Sequence, residues 1–322
     1  MKHVVSISLG SCKDDKTFET TILDVPFRIE RLGVDGDLQR FARMFSDLDG
    51  KVDALGVGGA DLFVVIGKHR YTFRQIARLV GGARHTPVVD GSGLKHTLER
   101  EAVYALARAG VVDWSQENVL LVSAVDRYGM AQALADQCPN VIYGDLLFGL
   151  GLPIPLRSYR AVSMIGTVAL PIITRLPFKW FYPTGKQQER RRPRFPKHFD
   201  WATLIAGDKH YIRRYAPEKL SDKTILTQSV RKADLEWLRE AGARRIITTT
   251  PVMGGETFAT NVMEAVLVTL AGKRPELMQP EDYLDLLARL AWKPTVIDLR
   301  APAEGAGSRT LEGTLQRNRS NL

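Results

Sequence analysis

Cysteine is scarce in this sequence: there are two in 322 residues, far apart at Cys12 and Cys138. With no CxxC pair, neither a disulfide framework nor a cysteine zinc site is expected. The six histidines are scattered, without HxH or HExxH spacing, so no metal constellation is expected either. Long hydrophobic runs are also missing. The longest, residues 161–173, contains Pro171 and falls short of the ~20 residues that span a bilayer. The opening MKHVVSISLGS lacks the long apolar core of a signal peptide and runs straight into a strand pattern. A soluble cytoplasmic protein with no membrane partner is therefore expected. No Walker A loop and no internal repeat occur.

What the chain does hold is ordinary in bulk, at 44% hydrophobic and 25% charged residues, which fits a soluble globular protein. Its length favours two domains over one. The formal charge of +9 suggests a small anionic metabolite or an acidic surface as partner. Much of that charge sits in FKWFYPTGKQQERRRPRFPKHFDW, which carries Lys186, Arg190, Arg191, Arg192, Arg194 and Lys197. Basic residues among aromatics can bind nucleic acid, but no nucleic-acid motif accompanies them. A solvated connector or a flap over an anionic ligand is the preferred reading.

The organising stretch is residues 118–150. An apolar run at 119–122 leads into Ser123, an amphipathic helix over 126–137 follows, and a second apolar run at 141–143 ends in Gly144 and Asp145. Strand, helix and strand at these lengths make a right-handed βαβ unit. Ligands of open α/β sheets bind beyond the carboxyl ends of the strands. Asp126, Arg127, Tyr128 and Asp145 stand at that edge here. Asp126 has a second reading, as a cap on the helix amides.

Three further clusters follow apolar runs in the same way. Gly56, Gly58, Gly59 and Ala60 form GVGGA after a strand, which suits either a pyrophosphate-binding loop or a tight turn. Residues 61–73 look like a hairpin, so the helix such a loop requires does not follow. Asp90-Gly91-Ser92-Gly93-Leu94-Lys95 opens what reads as one long helix, a small-residue start suited to an anion. Lys95 opposes the macrodipole there, which fits an acid/base or anion-clamp role, or a solvated side chain. After residues 203–206 come Asp208, Lys209 and His210, all able to transfer protons. The helix near 157–170 is apolar on most sides and reads as buried between domains. The last third alternates strands and helices again, and the tail from Ala301 has little to bury and reads as disordered. The expected fold is α/β, a Rossmann-like sandwich with mostly parallel sheet in two lobes. Its expected divisions are 1–155, a connector at 156–200, 201–300, and a tail at 301–322.

Two segments resemble the quinate/shikimate dehydrogenases: IITTTPVMG at 246–254, similar to that group's NTTPLGM strand and loop, and GVGGA, similar to its GAGGA loop. Ser6 and Ser8 resemble its substrate-hydroxyl serine pair. More broadly, SISLGS, GGADLF, DRYGMA, GDxHYIRRY and TTTPV resemble a bacterial family labelled quinate 5-dehydrogenase over nearly the whole length. The group's NxTxPxK segment, which supplies its catalytic lysine, is absent, and threonine stands at Thr248 in place of asparagine.

The resemblance implies an NAD(P)-dependent oxidoreductase acting on a polyhydroxylated carboxylate such as quinate. Gly56, Gly58, Gly59, Ala60, Thr249, Thr250 and Pro251 would hold NAD or NADP. Lys95, Asp126 and Asp208 would carry proton transfer, while Ser6, Ser8, Arg127, Tyr128, Asp145, Lys209 and His210 would hold substrate. Two other readings stay open from the residues themselves: an enzyme acting on a phosphorylated metabolite, and a non-catalytic binding protein for an anionic ligand.

Overall fold

In the computed structural model, residues 1–177, 191–250, 252–253 and 256–300 are described. The chain begins with β1 (Lys2–Ser8), β2 (Lys16–Ile22), β3 (Val25–Gly33), α1 (Leu38–Leu48), β4 (Ala54–Gly58), β5 (Phe63–Ile66), β6 (His69–Thr72), α2 (Arg74–Val80), β7 (Val88–Val89) and α3 (Ser92–His96). It continues with α4 (Leu98–Arg108), β8 (Asn118–Leu121), α5 (Tyr128–Gln137), β9 (Asn140–Tyr143) and α6 (Tyr159–Ile173). Next come α7 (Pro196–Trp201), β10 (Leu204–Ala206), α8 (Lys209–Tyr215), β11 (Thr224–Thr227), α9 (Lys232–Glu240) and β12 (Arg245–Thr248). The order closes with β13 (Val252–Met253), β14 (Glu256–Thr257), α10 (Thr260–Ala271), α11 (Pro280–Arg289) and β15 (Thr295–Asp298).

These elements form two compact α/β units, each assembled from separated stretches. The first comprises Met1–Thr97, Ser163–Arg190 and Ala259–Ala291; the second comprises Leu98–Val162, Arg191–Phe258 and Trp292–Leu322. The units thus interleave along the chain rather than following one another at residues 155 and 200. The α/β sandwich with mostly parallel sheet is as expected. The tail from Ala301, Lys186, Arg190 and Pro251 lie outside the described residues.

The first unit has a five-stranded sheet in the order β2-β3-β1-β4-β7. Only the β2–β3 pair is antiparallel, and Val4, Val5 and Ile7 of β1 lie in the core. Helix α1 starts where the Asp37 carboxylate accepts from the amides of Gln39 and Arg40, both at 2.9 Å. It fully buries Phe41 and Phe45, whose rings lie 5.0 Å apart, while Leu38, Met44 and Leu48 are half-buried. Burial of such a side chain contributes about 1.5–3 kcal/mol. Residues 63–72 form the expected hairpin.

The second unit has a six-stranded sheet, β15-β12-β11-β10-β8-β9, parallel except for β15 against β12. Its core gathers around Phe148, whose ring lies 5.6 Å from that of Phe199 and 5.2 Å from that of Tyr215. The β8-α5-β9 crossover is present with Leu121 opposite Tyr143.

Three expectations change. The long helix after Gly93 is two helices, because both the amide and the hydroxyl of Thr97 donate to the Gly93 carbonyl, at 3.1 and 2.8 Å, and close the first. Helix α5 begins at Tyr128 rather than Asp126, and Asp126 turns to Arg127 instead of capping it. Helix α6 is not buried all round, since Met164 and Val168 are each 70% exposed and Ile172 is 61% exposed.

Candidate binding site at the strand ends

The parallel strands of the second unit finish in register, Leu121 opposite both Ala206 and Tyr143, and Thr227 opposite Thr248. Their following residues therefore meet along one edge of the sheet. Arg127 lies at the centre of that edge and is 3% exposed. Its guanidinium donates to Glu99, which is fully buried, and to Asp208 Oδ2 at 2.9 Å, and its Nε lies 3.1 Å from Asp126 Oδ2. One cation thus holds three carboxylates. Burial of such ions is tolerated only when they are paired and hydrogen-bonded.

Asp208 is fixed from other sides as well. Its Oδ1 caps helix α8, accepting from the amides of His210 and Tyr211 at 2.8 and 3.3 Å. Its Oδ2 also accepts from the Gln228 amide at 2.7 Å. Burial works against ionisation of Asp208, but His210, the Arg127 guanidinium and the Gln228 amide outweigh it and hold the carboxyl below the usual carboxylate range. Asp126 and Asp208 side chains retain 16% exposure each, so the network reaches solvent through its carboxylates.

Around this centre, Asp145 accepts from the amides of Ala124 and Val125 at 3.2 and 2.8 Å. Burial nevertheless pushes its pKa up to about 6. Lys209 Nζ lies 3.2 Å from Asp234, which also receives Arg213 at 3.1 Å and the Arg231 amide at 3.0 Å. Burial lowers the pKa of Lys209 despite Asp234, and burial also lowers that of His210 despite Asp208. Tyr128 is buried against the Tyr159 ring at 5.1 Å. Thr250 returns its hydroxyl to the Gln228 carbonyl at 2.5 Å, and the Thr249 carbonyl accepts from the Trp292 indole at 2.8 Å. The hydroxyls of Thr248 and Thr249 are buried without a hydrogen-bond partner among the described residues.

In the first unit, Lys95 Nζ lies 2.5 Å from Asp61, and both side chains are largely buried. Asp90 accepts from the amides of Leu62 and Phe63, each at 2.7 Å, and from that of Ser92 at 3.0 Å. The small-residue loop at 91–93 does receive a carboxyl group, but that group is the chain's own. Glu264 of α10 accepts from the amides of Gly91 and Gly93, at 2.6 and 3.1 Å, and from the Tyr283 hydroxyl at 2.9 Å. A Cβ on Gly93 would lie 2.4 Å from Glu264 Oε1.

The GVGGA glycines serve close packing in the same way. A Cβ on Gly56 would lie 3.0 Å from the Asn261 amide of α10, and one on Gly58 would lie 2.8 Å from Ser8 Cβ. Gly59 and Ala60 continue into the hairpin with no helix N-terminus after them. Ser6 accepts from Asn261 at 2.6 Å, and Ser8 accepts from Gly10 N at 3.1 Å and Arg31 at 3.2 Å.

The structure therefore joins Asp126, Arg127 and Asp208 in one network and brings Asp145, Lys209, His210, Thr249 and Thr250 to the strand ends of the same unit. It places Lys95, Ser6, Ser8 and the GVGGA residues in the other unit. Sequence reasoning missed Glu99, Gln228, Asp61, Asp234 and Glu264. A usable signal existed for Glu264, a single acid in the otherwise apolar run NVMEAVLV. No group of three or more His, Cys, Asp or Glu is placed to hold a metal ion among the described residues.

The fold and these strand ends define an α/β protein with a preorganised polar edge. The chain belongs to the family described as "Domain of unknown function (DUF8754)", which matches residues 93–299. Residues 3–90 match a second, "Domain of unknown function (DUF8753)". No curated protein matches the sequence. Solved structures similar to the chain include a sugar ABC transport system substrate-binding protein from Bordetella parapertussis, at 10% identity and TM-score 0.33, over 94% of this chain and 91% of that one. A sugar-binding protein of a sugar ABC transporter from Bacillus halodurans has 12% identity and TM-score 0.35, over 98% and 99%. A carbohydrate transporter solute binding protein from Agrobacterium radiobacter, in complex with D-arabinose, has 12% identity and TM-score 0.33, over 85% and 90%.

The family matches correct the expected membership of a quinate dehydrogenase family: the families matched are both described as of unknown function, and neither is that family. The NAD(P)-dependent oxidoreductase reading is corrected with it. Its physical basis was weak in the same places, since GVGGA is packed against α10 and a neighbouring strand, and Lys95 is tied to Asp61 in a different unit from Asp126 and Asp208.

Proposed function

We propose that the chain is a non-catalytic binding protein for a small, hydroxyl-bearing metabolite, held at the strand ends of the second unit. The observation that carries this reading is the Arg127 network. Its members are fixed by one another and by rigid strand ends, which is the preorganisation that binding requires. Asp126 and Asp208 offer carboxylate oxygens to ligand hydroxyls, and Lys209, His210 and Arg213 supply donors and positive charge beside them. Two acidic groups of this edge are engaged: Asp208 is held ionised by its partners, and Asp126 is paired to Arg127. A general base works best with a pKa near the operating pH, which the partners of Asp208 oppose.

Thermal shift and calorimetric titration against sugars, sugar acids, polyols and sugar phosphates test the proposal, with NADH and NADPH included in the panel. A saturable ligand whose affinity falls at least tenfold in Asp208→Asn, without turnover, is expected. Turnover of that ligand, or binding untouched by Asp208→Asn, refutes it.

A further inference from the structure

We infer that α6 carries a docking surface for an anionic lipid bilayer, on which the helix lies without spanning it. Eight large hydrophobic side chains are exposed among the described residues, and six of them fall between residues 150 and 172. Three of the six, Met164, Val168 and Ile172, recur every fourth residue on α6 and are 61–70% exposed. Single exposed apolar residues need no explanation, but a row of three covering about 12 Å of helix does. Thr167 and Thr174 satisfy their hydroxyls on the helix's own backbone, donating to the Ser163 and Leu170 carbonyls at 2.8 and 2.7 Å. The row is bounded by arginine, with Arg160 one turn before Met164 and Arg175 just after Ile172. Arg157 and Arg160 stand at the helix N-terminus, where positive charge opposes the macrodipole, so helix stability does not account for them.

Charge identifies the partner. Residues 146–177 hold three exposed arginines, Arg157, Arg160 and Arg175, and no Asp or Glu. A second copy of this surface would set arginine against arginine at the ends of the row, which opposes self-association. Nucleic acid would satisfy the cations but offers nothing to a row of Met, Val and Ile. An anionic bilayer satisfies both, since interfacial helices place an apolar face among the acyl chains and basic residues among the headgroups.

Full-length protein floated with vesicles tests this surface. Phosphatidylcholine vesicles carrying roughly a third phosphatidylserine should retain the protein, and pure phosphatidylcholine vesicles should not. The variant M164S/V168S/I172S should bind the anionic vesicles at least ~10-fold more weakly, with an unchanged melting temperature because the three side chains are exposed. R160E/R175E should also lose binding. A dye attached through a V168C substitution, in a C12S background that removes the exposed native thiol, should shift to the blue on anionic vesicles. The inference is overturned by absence of binding, by equal binding of the triple-serine variant and its parent, by a dye signal that vesicles leave unmoved, or by tighter binding to duplex DNA that the triple-serine variant retains.

Discussion

Glu264 provides the sharpest test of how the first unit is held together. Its side chain belongs to a residue only 3% exposed, and its oxygens receive Gly91 N, Gly93 N and the Tyr283 hydroxyl. Burial drives the carboxyl upward and the charge of Asp90 adds to it, against the pull of Tyr283 and the two amides, leaving a pKa of about 7. That stands above the ordinary value of 4.5. Between these two values the folded state binds the proton more strongly than the unfolded state does. Stability from this site is therefore complete at the acid end and falls as pH rises through about 4.5 to 7. At ~1.4 kcal/mol per unit, the loss by pH 8 is about 3 kcal/mol.

Glu264→Gln keeps the shape and cannot ionise. Near pH 5 the variant should lie within about 1 kcal/mol of its parent, the worth of one altered hydrogen bond. At pH 8 it should gain about 3 kcal/mol relative to the parent, compared with pH 5. Urea unfolding from pH 5 to 8 followed by far-UV circular dichroism measures this. Tryptophan emission would report mainly on the second unit, which holds four of the five tryptophans, Trp114, Trp201, Trp237 and Trp292. Parallel stability curves for parent and variant would refute the reasoning.

Arg127→Met should cost about 3–5 kcal/mol by leaving Glu99 and Asp208 without their cation, seen in tryptophan-monitored unfolding of the second unit. Adding Glu99→Gln should return part of that loss, and strict additivity would argue against the pair. Asp145, raised to about 6 by burial, follows the same sign as Glu264: its contribution declines as pH rises from about 4 to 6. Asp145→Asn should flatten the pH dependence of the second unit in that window. Gly93→Ala should destabilise by roughly 1–3 kcal/mol, since its Cβ would meet Glu264 Oε1 at 2.4 Å and Tyr283 Oη at 2.6 Å. Gly149→Ala, with nothing within 4 Å, serves as its control in thermal melts.

The architecture was legible because it rests on local signals. Apolar runs such as 119–122 and 245–248 are strands, α10 falls at Thr260–Ala271 as its pattern predicts, and the βαβ crossover at 118–143 needs only run lengths. The division into units was not, because the chain passes between them repeatedly and no composition shift marks a segment that returns. Helix α6 misled for a related reason. Its composition is apolar all round, yet composition cannot show that the row at Met164, Val168 and Ile172 is exposed. In the site, Arg127, Asp126 and Asp208 were found from their place after strands. Glu99 was not, because its role depends on a contact 28 residues away that no spacing rule contains.

The two small-residue loops show why a motif needs its surroundings before it can be assigned a function. A backbone with free amides at a helix start favours an anion whatever its source. In the loop at 91–93 those amides are taken by Glu264, supplied by the same unit, and the glycines are small because a carboxyl group and a tyrosine already occupy the space. At 56–58 the space is taken by Asn261 and Ser8. The Arg127 network differs in the respect that matters for binding. Its cation is shared among three carboxylates, and the side chains of Asp126 and Asp208 stay partly exposed. On the reading proposed above, a ligand hydroxyl would meet carboxylates already held in place, without displacing the ion pairs that hold them.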